Sequence, residues 1–178
     1  NKPFCLVIGH KATHRTWIPD AQDMGKYDHI TFPLPHNFYD NYTNREAAKV
    51  QDMTISKTMQ MGYDLKMFGT ENEANKEGTI MRMNPEQRQK FDAYYGAVNA
   101  DLKSKNLSGK ELIEWKYQRY MRDYLSTAAS LDRNIGRTLD YLKEHGLEEN
   151  TIVIYLSDQG FYLGEHGWFD KRFIYEES

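Results

Sequence analysis

The chain has little of the residues that mark several common protein classes. Its 178 residues contain one cysteine, Cys5, which excludes an internal disulfide framework and a cluster of zinc-binding thiolates. The net charge of -3 leaves no basic surface for nucleic acid, so none is expected as a partner. No apolar stretch approaches the roughly 18 residues that cross a bilayer, so no membrane span is expected.

Two apolar stretches are predicted to be buried strands. Residues 4–8 form a continuous apolar run between Pro3 and Gly9, and residues 151–156 form a second, β-branched run. Such runs are typical of parallel strands that are covered on both faces. Cys5 lies inside the first run and is therefore expected to be a small buried hydrophobic residue.

Helix signals fill the region between the two predicted strands. Residues 84–87 read Asn-Pro-Glu-Gln, an N-cap followed by proline, and residues 108–111 form a second capping box. Apolar residues then recur at three- and four-residue spacing from 113 to 142, which predicts one long helix, with a possible kink near Gly136. Gly146 is expected to cap its end.

The remaining segments carry weaker signals. Residues 46–67 are predicted to be a helix or a broken helix, and residues 69–78 an exposed polar loop. Residues 20–45 are irregular, as segments that form sites or cover a surface often are. A strand, a long crossover helix and a second parallel strand predict an α/β fold with a parallel central sheet and flanking long helices.

The most informative stretch follows the second strand. That strand ends in Asp158 and Gln159, Gly160 permits a turn, and Lys171 comes thirteen residues after Asp158. Carboxylate and amide oxygens suit calcium, whereas glutamine is a poor zinc ligand. A lysine beside a cation site favours an anionic ester as ligand. The alternative is an ordinary Asp-Gln turn followed by a solvated lysine.

Residues 157–171, which read Ser-Asp-Gln-Gly-Phe-Tyr-Leu-Gly-Glu-His-Gly-Trp-Phe-Asp-Lys, resemble the sulfatase family of the alkaline phosphatase superfamily. The resemblance implies that Asp158 and Gln159 are metal ligands for Ca²⁺ and that Lys171 contacts the sulfate in a catalytic role. It also implies that His14, after the first strand, touches the sulfate ester and protonates the leaving oxygen. Thr13 stands where the family commonly has proline.

Three further residues have open roles. His166 lies inside the motif and is assigned to substrate binding, or it simply shapes a tight turn. Arg15 and Trp17 either contact a sugar, with Trp17 stacking on its apolar face, or do not take part in binding.

The nucleophile of the resembled family is not in this sequence. Sulfatases use a cysteine or serine in Cys/Ser-x-Pro-x-Arg, which is converted to formylglycine, and no residue here has that context. The chain also starts without methionine and lacks the family's upstream Asp-Asp metal pair. Residues 1–178 are therefore expected to be a partial sulfatase catalytic domain, without its nucleophile region and C-terminal subdomain, and inactive alone.

The resemblance implies a calcium-dependent sulfuric ester hydrolase. Its subgroup is similar to bacterial carbohydrate sulfatases of the N-acetylglucosamine-6-sulfatase kind, which implies a sulfated carbohydrate substrate and a periplasmic or secreted location. The alternatives are a phosphodiesterase or phosphonate monoester hydrolase of the same superfamily, a non-catalytic relative that binds sulfated glycans, and a helical interaction domain.

Overall fold

The computed structural model describes residues 2–67 and 80–178, and helices dominate this part of the chain. The helices are α1 (Glu46–Val50), α2 (Pro85–Lys105) and α3 (Gly109–Glu144), and strands β1 (Tyr162–Leu163) and β2 (Phe169–Asp170) form an antiparallel pair. Single 3₁₀ turns lie at Ile80–Arg82, Glu148–Asn150 and Glu165–Gly167. The predicted loop at 69–78 lies outside the described residues. None of the described helices is long and apolar enough to cross a membrane.

The predicted start of α2 is confirmed. The Asn84 side chain accepts a hydrogen bond from the Gln87 backbone N–H at 2.8 Å, and the Gln87 side chain accepts one from the Asn84 N–H at 3.0 Å. These reciprocal bonds satisfy two backbone donors at the helix end. Phe91 and Tyr95 then point into the core, as their spacing predicts.

Helix α3 is one unbroken element, and Gly136 does not interrupt it. Ser108 is the N-cap residue, but its side chain makes no capping hydrogen bond, so the predicted capping box is wrong in that detail. The predicted glycine cap is confirmed. Gly146 has a φ of 63°, and the Leu147 N–H donates to the Leu142 carbonyl at 2.8 Å.

The core lies against the first half of α3. The buried residues of this helix fall between Lys116 and Ser130, whereas Leu139 is 43% exposed. The apolar stripe predicted from 113 to 142 is therefore covered only in its first half. Apart from Lys66, the largest fully buried side chains are aromatic or otherwise apolar: Trp17, Met53, Ile55, Met59, Leu65, Phe91, Tyr95, Tyr120, Tyr162, Trp168 and Phe169.

The two predicted strands are neither buried nor paired within the described ranges. Val7 is 87% exposed and Ile152 is 89% exposed, and the structure assigns no strand to residues 4–8 or 151–156. The expected burial is wrong for this chain, because no described segment packs on these runs. Cys5, predicted to be buried, is exposed for the same reason.

The helix predicted at 46–67 is also wrong beyond its first five residues. Only α1 is an α-helix, and the chain then turns repeatedly. Its backbone groups are used elsewhere: the Ile55 N–H donates to the Gly167 carbonyl, and the Met53 carbonyl accepts from the Phe169 N–H, both at 2.9 Å. These long-range bonds replace the helical ones, so this segment supports the 161–171 loop.

A buried ion cluster joins three parts of the chain. The Lys66 ammonium lies 2.7 Å from the Asp123 carboxylate on α3 and donates to the carbonyls of Trp17 at 2.9 Å and Asp64 at 2.8 Å. Arg119 pairs with the same Asp123 at 2.5 Å. Burial lowers the pKa of Lys66, and the facing Asp123 carboxylate opposes that shift.

Removing the Lys66 charge should destabilise the protein strongly. Lys66→Met leaves Asp123 buried with one cation fewer and frees two carbonyls, so the free energy of unfolding should fall by about 3 kcal/mol. Denaturant unfolding of the full-length protein measures the change. Lys90→Met, which removes an exposed ion pair with Glu86 on α2, is the control and should change nothing measurable. An equal response of the two variants would contradict the structural role of the cluster.

Candidate active site

The loop that carries the sequence motif is a tight hairpin. Strands β1 and β2 are joined by residues 164–168, and the Glu165 carboxylate accepts a hydrogen bond from the Leu163 N–H at 2.7 Å. Gly164 and Gly167 have φ angles of 112° and 70°, and a Cβ on them would lie 2.5 Å from the Tyr117 ring and 2.6 Å from the Phe38 carbonyl oxygen. Only glycine permits both the backbone conformation and the close packing.

Lys171 follows β2 directly and is mostly buried. Its side chain is 16% exposed, and the ammonium lies 4.0 Å from an Asp170 carboxylate oxygen and 5.8 Å from the centre of the Phe161 ring. The nearer partner of Asp170 is Arg172, whose Nε donates to it at 2.9 Å. Lys171 therefore presents a positive charge that Asp170 neutralises only weakly, as a residue that binds an anion requires.

The loop that carries His14 packs against this hairpin. The Arg15 guanidinium lies 5.1 Å from the centre of the Phe169 ring, and Trp17 contacts Phe161 at 6.1 Å between ring centroids. His14 itself is exposed, and its Nδ1 lies 2.6 Å from the Arg15 carbonyl oxygen. If Nδ1 donates to this carbonyl, Nε2 is the ring nitrogen left for a ligand, and it must carry a proton of its own to act as a donor.

The suggested sugar contacts of Arg15 and Trp17 do not fit their surroundings. Trp17 is fully buried at 0% exposure and packs on Tyr120 at 4.5 Å between ring centroids, so its face is not available for stacking on a sugar. Arg15 is paired with the Asp64 carboxylate through two of its nitrogens. Both residues instead anchor the loop that presents His14.

The candidate metal ligands lie just after the exposed apolar run at residues 151–156. Asp158 and Gln159 are both exposed, and the Ser157 hydroxyl donates to the Gln159 carbonyl at 2.6 Å. Gly160 packs against Ser178 so closely that a Cβ would lie 2.5 Å from the Ser178 carbonyl carbon. This contact fixes the turn after the two candidate ligands.

The donor chemistry of Asp158 and Gln159 fits calcium, but two residues are an incomplete set. A calcium ion takes roughly six to eight oxygens. Within residues 2–67 and 80–178 there is no group of three or more histidine, cysteine, aspartate or glutamate residues that could hold a metal. These two side chains are therefore at most part of a calcium site.

His166 is the most extensively bonded of the predicted site residues. Its Nδ1 lies 2.6 Å from Asp40 and its Nε2 lies 3.3 Å from Glu177. Its backbone carbonyl accepts a hydrogen bond from the Tyr42 hydroxyl at 2.5 Å. No local sequence signal marked Asp40 or Glu177, because both reach His166 only through the fold.

Comparisons with known proteins identify the family of this chain. A family model described as Sulfatase matches residues 1–176. The chain belongs to the sulfatase family. It is 48% identical to an N-acetylglucosamine-6-O-sulfatase of Bacteroides thetaiotaomicron, over 99% of this chain and 33% of the relative. It is 39% identical to human iduronate 2-sulfatase, over 31% of this chain and 10% of the relative.

A solved structure has a fold similar to that of this chain. It shows a protein in complex with its substrate D-glucosamine-2-N,6-O-disulfate, and it matches with a TM-score of 0.82 and 48% identity over 94% of this chain and 35% of that one. The chain thus spans about a third of the length of the solved protein and of the bacterial relative. This match places the chain among proteins with the alkaline-phosphatase-like fold of sulfatases.

Proposed function

We propose that the full-length protein hydrolyses sulfate esters on sulfated sugars, with 6-O-sulfated N-acetylglucosamine as the first substrate class to test. The observation that carries this proposal is the mostly buried Lys171, which follows the hairpin that the loop of His14 packs against, in a chain of the sulfatase family. The identity of 48% with an N-acetylglucosamine-6-O-sulfatase over 99% of the chain supports the sugar class.

In this proposal, different residues of the chain have separate roles at the sulfate ester. The Lys171 ammonium binds the sulfate oxygens and stabilises the negative charge that grows on them in the transition state. His14 gives a proton to the sugar oxygen as the S–O bond breaks, which prevents the departure of an unprotonated alkoxide. The Arg15–Asp64 ion pair and the buried Trp17 hold the backbone that carries His14.

Two groups from outside the described residues complete the proposal. Asp158 and Gln159 would supply part of the oxygen ligands of a calcium ion. When bound, that ion supplies positive charge next to the sulfate. A formylglycine upstream of this chain would supply the attacking oxygen. Family membership supports both proposals, and the oxygen donors of Asp158 and Gln159 support the calcium ion.

We also propose that residues 4–8 and 151–156 are parallel strands of a central sheet in the full-length protein. Both runs are apolar, and side chains such as Val7 and Leu156 are 87% and 80% exposed. Apolar surface of this kind marks a contact with other protein. Asp158 and Gln159 would then lie at the carboxyl end of a buried strand, where α/β sheets place their ligands.

Loss of the Lys171 charge should abolish most of the activity. Lys171→Ala should lower kcat/KM for N-acetylglucosamine 6-sulfate by about 100-fold or more, because the charge contact with the sulfate strengthens in the transition state. Sulfate release by the full-length protein measures this loss. Lys57→Ala, at an exposed lysine, is the matched control and should behave like the wild type. Equal kcat/KM values for the two variants would rule out the assigned role.

A proton donor should matter most for a poor leaving group. His14→Ala should lower kcat for the 6-sulfated sugar by about 100-fold or more, and lower it far less for an aryl sulfate whose phenolate leaves without a proton. The matched control is His29→Ala, at another exposed histidine. A loss of the same size on both substrates would show that His14 is not the proton donor.

If Asp158 binds calcium, its replacement should raise the calcium concentration that the protein needs for activity. Asp158→Ala removes a charged ligand, so the variant should need at least tenfold more calcium than the wild type for half-maximal sulfate release. Chelation followed by calcium titration of the full-length protein measures this, with Asp140→Ala, at an exposed position of α3, as the control. Superimposable calcium titrations of Asp158→Ala and the wild type would remove Asp158 from the metal site.

A further inference from the structure

His166 lies where the motif hairpin meets two other segments of the chain. Its ring is 12% exposed and lies between the carboxylates of Asp40 and Glu177, one at each nitrogen. The Nδ1 atom is within hydrogen-bond distance of Asp40, and the Asn37 amide nitrogen lies 3.4 Å from Nε2. The two carboxylates beside the ring would repel a sulfate, so the geometry suits a bridge between segments better than a sulfate contact.

Further contacts hold the Asp40 side of the bridge and the face of the His166 ring. Arg45 and Tyr42 contact Asp40, and Tyr175 packs on the His166 ring at 5.2 Å between centroids. Burial alone would raise the pKa of Asp40, but the hydrogen bonds from Arg45, the Tyr42 backbone and His166 lower it to about 2. Asp40 is thus charged at every pH at which the protein would work.

The backbone at His166 needs these contacts to keep its shape. Its φ is 57° and its ψ is 15°, a left-handed conformation that is unfavourable for a residue with a Cβ. Such a conformation persists only where neighbouring groups enforce it. Here the side chain is held by two carboxylates, and the carbonyl is held by the Tyr42 hydroxyl.

A shift at His166 would be transmitted to Lys171. Trp168 follows the turn that contains His166. It stacks on Tyr42 at 5.5 Å and on Tyr175 at 5.6 Å between ring centroids. Trp168 continues into β2, and Lys171 is the next residue after that strand. Displacement of a substrate-binding group by about 1 Å can cost about 100-fold in rate.

We propose that His166 is a positioning residue, which as a bridge between Asp40 and Glu177 fixes the hairpin that presents Lys171. It replaces the substrate contact first expected of this histidine. It also gives a role to the irregular segment around residue 40, which serves as the fixed side of the bridge. The activity readout of the inference rests on the proposed sulfatase function, whereas the structural readout does not.

The experiment compares His166→Phe with two changes that remove only its partners. Asp40→Asn and Glu177→Gln keep the ring but weaken the bridge, and Glu176→Gln, at an exposed neighbour, is the matched control. For each full-length variant, kcat and KM are measured on the 6-sulfated sugar, and hydrogen exchange of the peptide 161–173 is followed by mass spectrometry.

A positioning role gives a defined pattern. His166→Phe lowers kcat/KM by about 10- to 100-fold and speeds exchange in the 161–173 peptide, and each partner change gives part of both effects. Because the bridge is then already broken, adding Asp40→Asn to His166→Phe costs little more. His166→Gln, which keeps one donor, falls between the wild type and His166→Phe.

Two results would overturn the inference. Wild-type kcat/KM in Asp40→Asn and Glu177→Gln, together with inactive His166→Phe, would show that the ring acts on the substrate itself. Faster exchange with unchanged kcat and KM would show that the bridge only supports the fold. If the wild type released no sulfate, the proposed function would fail by itself. In that case wild-type exchange in His166→Phe would overturn the bridge, and faster exchange would support it.

Discussion

The buried ammonium of Lys66 is the constraint on which the arrangement of the site depends. A lysine without exposure is stable only if its charge is paired and its donors are used, since burial of a single ion costs several kcal/mol. The three partners come from the loop of Trp17, the turn of Asp64 and helix α3 at Asp123. None of these segments can move alone without leaving part of this cluster unsatisfied.

From this base the structure supports both candidate catalytic loops. The Asp64 carboxylate beside Lys66 pairs with Arg15, next to His14, and the same guanidinium lies over the Phe169 ring of the motif hairpin. Lys171 follows that hairpin. The proposed proton donor and the proposed sulfate-binding lysine are thus carried by loops that share one rigid support, as a site that must hold a transition state requires.

Local sequence signals predicted several helix ends and the family of the chain. The capping residues Asn84 and Gln87 and the terminal Gly146 act within a few residues of themselves, so their pattern was sufficient. The motif from residue 157 to 171 identified the family because its residue types and their order are specific. Family resemblance also gave the fold, although the parallel sheet itself stays a prediction.

The rest depends on contacts between distant residues, which no local pattern encodes. The sequence suggests that Trp17 could stack on a sugar, yet Tyr120, more than a hundred residues away, packs on its ring. The sequence suggests that His166 binds substrate or shapes a turn, whereas the structure places the Asp40 carboxylate beside its ring. The run at 151–156 reads as a buried strand, but burial requires neighbouring strands, and within residues 2–67 and 80–178 none pairs with it.

The most direct test of the account compares two esters of one sugar. The full-length protein, supplied with calcium, would be given N-acetylglucosamine 6-sulfate and N-acetylglucosamine 6-phosphate, and kcat/KM would be measured for each. The account predicts sulfate release with a kcat/KM far above that for phosphate. Phosphate release with no sulfate release would contradict it.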